Sequence, residues 1–196
     1  MDPIALVRQQ TRAQHLRVER LVPLALTPLT LPYYRQLLAT FLGIFQPLES
    51  ILSNLPVPAD LQLAGRQRSH LLVLDLQRLG LAPDAIHALP RCADLPRPAT
   101  LPQILGLMYV TEGSTLGGQY ISRLVLQHLA LDETSGCAFF SSHRAEVLPM
   151  WQRFCAIVRA EVADDLTQQE FVSSALSTFL AFEHWIERSL PLSSPE

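Results

Sequence analysis

Fifteen prolines divide this chain into apolar segments that repeat every three to four residues, and no segment alternates as a half-buried strand would. That punctuation permits helices joined by proline-bearing connectors and leaves no place for a sheet. The first helix is predicted from Asp2-Pro3, a cap followed by proline in the first turn, to near Leu21, ahead of Pro23. A connector with Pro23 and Pro28 leads to Thr30, which caps a second helix from about Leu31 to Ser53; Pro47 should kink it or end it early. A third runs from about Leu61 to Leu79 and stops at Gly80, and a short helix follows Pro83. After the irregular stretch Leu89–Ala99, Thr100 and Pro102 open a central helix to about Ala130, with a break at its glycines. Ser141 or Ser142 opens the next helix, to about Asp164, and Thr167-Gln168-Gln169-Glu170 reads as a capping box for the last, which ends before Pro191. The predicted fold is one all-α domain, a multi-helix bundle over residues 1–190, with 191–196 a frayed tail.

Composition narrows the function. Hydrophobic residues make up 48% and charged residues 17%, the balance of a packed globule. No apolar run reaches the roughly 18 residues that cross a bilayer. Ile4–Val7 is too short for a signal-peptide core and is followed by Arg8, Arg12, Arg17 and Arg20, so the expected compartment is the cytoplasm. A net charge of −3 argues against general nucleic-acid binding. All 15 basic residues are arginine, which excludes a phosphate-binding or Schiff-base lysine and leaves guanidinium groups to grip any carboxylate ligand. Cys92, Cys137 and Cys155 stand alone, without zinc spacing or a Cys-x-x-Cys-His attachment site, which agrees with a reducing compartment.

Two local patterns carry chemistry. Wound at about 100° per residue, Ile4, Val7, Thr11, His15, Val18 and Val22 fall on one side of the first helix, which sets an imidazole in an apolar stripe. Such a histidine is either a satisfied core residue or a ligand. Glu19, one turn on, could hold one ring nitrogen and leave the other for a metal, while Arg8 lies about 10 Å back along the axis. The second pattern is Gly113-Ser114-Thr115-Leu116-Gly117-Gly118, whose three glycines cost roughly 3 kcal/mol of helix propensity. Close helix packing would explain them; so would a planar ligand resting on bare backbone, with Ser114, Thr115 and Gln119 able to hold water beside it. Zinc needs three or four protein ligands, and no cluster supplies them. Heme needs one axial ligand, and the two patterns together point to heme.

Thr11-x-x-x-His15-x-x-x-Glu19 followed by Glu112-Gly113-Ser114-Thr115-Leu116-Gly117-Gly118-Gln119 resembles the heme oxygenase family, and its bacterial, biliverdin-producing branch in particular. Length, helix order and an aromatic last helix (Phe179, Phe182, Trp185) fit as well. The resemblance implies that His15 is the proximal iron ligand and that Gly113, Gly117 and Gly118 cover the distal face. It further implies that Arg8 pairs with a propionate and that biliverdin, ferrous iron and carbon monoxide are the products. Thr11 and Glu19 belong to the heme-binding set, as does Tyr109, which is one residue out of register with a family tyrosine. One departure matters: the animal-type pattern has an aspartate where this chain has Ser114. Proton delivery then falls to Ser114, Thr115, backbone and water. Molecular oxygen and an external electron donor are required, because no flavin or nicotinamide fingerprint is present; a ferredoxin or flavoprotein reductase fits, and a phytochrome is one possible acceptor of the bilin. A non-enzymatic heme carrier or sensor would share these residues, whereas a vitamin-metabolism domain of this fold would need an acidic and cysteine pocket. Arg153 and Arg159 could reach the second propionate or be solvated. Trp151 and Phe154 read as core, His184 as a surface residue, and His70, His87, His128 and His143 lack a comparable setting.

Overall fold

The computed structural model describes residues 1–22 and 29–190, and every described regular element is helical. These are α1 (Pro3–Gln10), α2 (Arg12–Leu21), α3 (Leu31–Ser53), α4 (Ser69–Arg78), α5 (Pro83–His87), α6 (Leu101–Leu129), α7 (Val147–Glu161) and α8 (Asp165–Ser189). The connector at Pro23–Pro28 and the tail after Leu190 lie outside the described residues. α6 and α8 form the largest interface; α1, α2 and α3 also rest on α8, α4 packs on α3, and α7 packs on α6 and α1. Gly106 permits the α6–α8 contact, because a Cβ there would collide with the Phe171 carbonyl and lie 2.8 Å from Ser174 Cβ.

Local signals set most helix starts. Thr30 and Thr100 each accept the amide hydrogen three residues on, at 3.4 Å, with proline in the first turn. Gly80 stops α4 at φ +90°, as expected. Elsewhere the structure corrects the sequence reading, and each correction has a partner far along the chain. The first helix is divided at Thr11, whose hydroxyl donates to the Val7 carbonyl at 2.7 Å while its backbone flattens to ψ 0°. Pro47 neither ends nor interrupts α3. The carbonyl its missing N–H would leave unpaired, that of Gly43, accepts from the Cys92 amide at 2.8 Å, so the proline helps dock the following loop.

The predicted third helix is helical only from Ser69. Residues Ala59–Leu61 and Leu63–Arg66 form 3-10 turns joined at Gln62, which is left-handed at φ 49°. Glu49, on α3, fixes where α4 begins by accepting the amides of Arg68 (2.6 Å) and Ser69 (3.1 Å). α6 runs 29 residues without a break at its glycines. No helix starts at Ser141 or Ser142. The buried carboxylate of Asp75 instead accepts the amides of Ala138 (2.8 Å) and Phe139 (2.9 Å), holding that segment as turns until α7 begins at Val147. The last capping box lies three residues earlier than predicted: Asp164 and Thr167 exchange the reciprocal bonds, and Glu170 accepts a hydrogen bond from Thr100 instead. Among the described residues no helix is long and apolar enough to cross a membrane.

Candidate functional site

His15 sits on α2, and its setting corrects the expectation of a buried imidazole. The packed side of the first two helices runs through Val7 and Thr11, both essentially solvent-free, but the stripe opens at His15, whose side chain is 58% exposed. Nδ1 lies 3.5 Å from Glu19 Oε2, which leaves Nε2 as the nitrogen available to a metal. The ring stands edge-on to Phe179 of α8, with centroids 5.9 Å apart. An ion pair between Arg17 and Glu183, at 2.6 Å, holds α2 against the same helix.

Arg8, Thr11 and Tyr109 come together at the α1 end. Burial raises the Tyr109 hydroxyl above its usual pKa, opposed by a hydrogen bond with Thr11 and by the charge of Arg8. Arg8 is exposed and has no ion-pair partner among the described residues. Tyr109 also packs on Trp151 and Phe171, at 5.8 and 6.1 Å between centroids, so it is a core residue as well as a neighbour of Arg8. Arg159 is engaged with Asp2 through two hydrogen bonds, 2.9 and 3.3 Å, while Arg153 is exposed and makes no ion pair among the described residues. Phe154 is core, and Trp151 is half-buried with its ring edge 4.0 Å from where a Gly113 Cβ would stand. His70, His87, His128 and His184 are exposed.

The three distal glycines separate into two kinds. A Cβ built on Gly117 meets nothing within 4 Å, and one on Gly113 reaches only Trp151 at 4.0 Å. Leu116 and Tyr120, both exposed, complete the same face of α6 at helical spacing. This is an uncovered apolar face with two missing side chains, a cradle suited to a flat ligand. Gly118 points elsewhere: its Cβ would stand 3.1 Å from the Phe140 carbonyl, so its bareness is explained by packing of the 137–143 segment on α6. Thr115 is buried, with its hydroxyl bonded to the Glu112 carbonyl at 2.6 Å, and lies away from the open face.

Behind the glycines is a buried charged cluster that the sequence reading missed. Arg66 is ion-paired with Glu112 and donates to the Leu61 carbonyl. Arg68, 3% exposed, donates to Ser114 Oγ at 2.9 Å and to the Thr111 carbonyl at 3.1 Å, and its guanidinium lies over the rings of Phe139 (4.7 Å) and Phe45 (5.3 Å). Burial pulls the Arg68 pKa down to about 10, against the charges of Glu112 and Glu49, so it stays cationic at neutral pH. Burial likewise holds the Glu112 carboxyl above its usual range, opposed by both arginines. His143 Nε2 is buried with no hydrogen-bond partner, and burial with the two arginines lowers its pKa. A cavity of about 20 Å³ beside Arg66, Arg68, Glu49 and Glu112 has room for one water molecule. Glu112, a lone carboxylate after the apolar run Leu105–Val110, was the available signal.

No curated protein matches the sequence. Solved structures do resemble the fold. Heme oxygenase from Leptospira interrogans matches at 18% identity with a TM-score of 0.73, covering 96% of this chain and 100% of that one. Heme oxygenase-1 from the cyanobacterium Synechocystis sp. PCC6803, solved in complex with heme, matches at 15% identity and TM-score 0.74, covering 96% and 92%. The NO- and CO-bound heme oxygenase of Neisseria meningitidis matches at 18% and 0.74, covering 100% and 96%. The heme oxygenase family model spans residues 3–188, which takes in α1 through nearly all of α8. By that match over almost its whole length, the chain belongs to the heme oxygenase family.

Proposed function

We propose that this protein is a heme-degrading monooxygenase of the biliverdin-producing kind, binding heme between the His15 imidazole and the bare face of α6. The observation that carries this reading is one chain holding both an imidazole with a free Nε2 and a helix face left open by Gly113 and Gly117. Among the described residues no three His, Cys, Asp or Glu side chains converge on a metal, so His15 would be the sole protein ligand, as heme requires. Bound heme supplies both the iron that takes oxygen and the porphyrin ring whose opening gives biliverdin, ferrous iron and carbon monoxide.

The chain's own residues have separate tasks. Glu19 orients the imidazole and raises its basicity. Arg8, unpaired beside Thr11 and Tyr109, is free to take a propionate in charge-assisted hydrogen bonds. Leu116 and Tyr120 shed water from the open face, Gly113 and Gly117 admit the ring, and Ser114 holds a water on the distal side. Gly118 acts indirectly, by letting the Phe140 segment approach. Electrons come from an external donor such as a ferredoxin or flavoprotein reductase, and the bilin goes to iron release or to a phytochrome. The test is the absorption spectrum of the heme complex followed with reductant and oxygen. Loss of the Soret band with growth of a red biliverdin band is expected; a complex stable under both would instead make the protein a carrier.

Two substitutions refine the site. Arg8→Ala should weaken heme binding by about 1–3 kcal/mol in a Soret titration and alter the biliverdin isomer. Unchanged affinity and isomer would leave Arg8 a solvated flank. Gly117→Ala should raise apoprotein stability by up to about 1 kcal/mol, since the methyl meets no protein atom, while heme binding falls. Gly118→Ala should lower the apoprotein melting temperature, because the Phe140 carbonyl must give way. Thermal melts of both apoproteins decide whether the two glycines differ in this sense.

A further inference from the structure

Ser114 has one hydroxyl proton and two lone pairs, and the structure accounts for two of these three. The proton goes to the Thr111 carbonyl at 2.6 Å, and one lone pair accepts from Arg68 Nη2 at 2.9 Å. The remaining lone pair can only accept. A hydroxyl ordinarily donates or accepts as its surroundings dictate; this one is held acceptor-only, the hydrogen-bonding character of an ionised carboxylate. The holding group is itself fixed. Glu49 pins the Arg68 backbone, Phe45 and Phe139 flank the guanidinium, and Ser142 Oγ lies 3.5 Å from Nη1. Among the described residues Arg68 has no ion-pair partner, although it is 3% exposed. A buried guanidinium bonded to a hydroxyl and a carbonyl is costly as a structural device.

We propose that Arg68 is the positioning residue of the distal side, clamping Ser114 and Thr111 so that Ser114 Oγ anchors a water by accepting its hydrogen, in the place where the family's animal-type pattern has a carboxylate. The inference rests on the heme-degrading reading. The anchored water donates one hydrogen to Ser114 and keeps the other for the ligand side. The field at that water is set by a cation, which favours proton release.

Three variants test this: Arg68→Met, Ser114→Ala and the double substitution, each measured as apoprotein melt, heme affinity and pH titration of the ferric heme spectrum. All should retain heme. Arg68→Met should raise the pKa of the ferric acid–alkaline transition and slow ring opening roughly tenfold or more. The double variant should be no slower than the worse single one, because both remove the same anchor. An unchanged transition pKa, or additive losses, overturns the proposal while leaving the functional reading intact. A wild-type protein that binds no heme overturns that reading and the proposal with it. Should Arg68→Met fail to fold, Ser114→Asp and Ser114→Ala apoproteins decide the matter without touching the arginine. The new carboxylate should meet the buried guanidinium and raise the melting temperature above that of Ser114→Ala; a lower value means that Arg68 is not aimed at position 114.

Discussion

His15→Ala is expected to abolish heme turnover and the native ferric spectrum while leaving the apoprotein almost as stable as the wild type. The two halves of that expectation come from the same geometry. The imidazole is more than half exposed, touches Glu19 only at 3.5 Å, and meets Phe179 edge-on, so little packing is lost on truncation. Surface substitutions of this kind change stability by about 0.5 kcal/mol or less. Loss of the sole axial nitrogen, by contrast, removes the bond that fixes the iron. Exogenous imidazole should restore the ferric spectrum and part of the turnover, because α2 retains the space the ring vacates. Glu19→Gln should act more gently, shifting the iron's reduction potential without ejecting heme, since it weakens only the hydrogen bond at Nδ1. Optical titration, melting of the apoprotein and turnover on the same preparation separate these outcomes. An unchanged axial signature in His15→Ala would assign the iron to another ligand. A large loss of apoprotein stability would mean that His15 serves packing after all.

The signals legible in the sequence are those whose partners lie within one helical turn. Thr30, Thr100 and Gly80 act on neighbouring amides or on their own backbone, and each functions as read. The Glu19 approach to Nδ1 is an i, i+4 relation and was equally visible. What the sequence concealed depends on groups far along the chain. Pro47 continues a helix because Cys92 supplies the donor for Gly43, 49 residues away in sequence. Ser141 opens no helix because Asp75 has taken the preceding amides. Arg66 and Arg68 leave their helical register because Glu112 and Ser114 wait on α6, across 46 residues each. The site divides in the same way. Spacing identified the α6 motif, but only the neighbours of each missing Cβ distinguish Gly117, which faces open space, from Gly118, which faces Phe140.

Glu112→Ala is expected to cost about 3–5 kcal/mol of folding stability, the usual penalty for removing one partner of a buried ion pair. Against a typical domain stability of about 5–15 kcal/mol, that leaves a marginal protein. The penalty arises from what remains. Arg66 loses its carboxylate partner and keeps two carbonyls, those of Leu61 and Met150. Arg68 loses the nearby charge that favours its cationic form. Glu49 cannot compensate, because its oxygens already accept from the Arg68 and Ser69 amides and from the Ser69 hydroxyl. Glu112→Gln should cost less, since an amide oxygen can still accept from Arg66. Burial already disfavours the Glu112 charge, so the carboxylate serves chiefly to satisfy two guanidinium groups that the fold has taken out of water. The double variant Arg66→Leu/Glu112→Leu should therefore be more stable than Glu112→Ala, because removing both charges leaves neither stranded. Urea unfolding of the apoproteins, with the slope checked for two-state behaviour, gives these differences directly. If Glu112→Ala and the double variant lose equally, the cost lies in the cavity and not in the uncompensated charge.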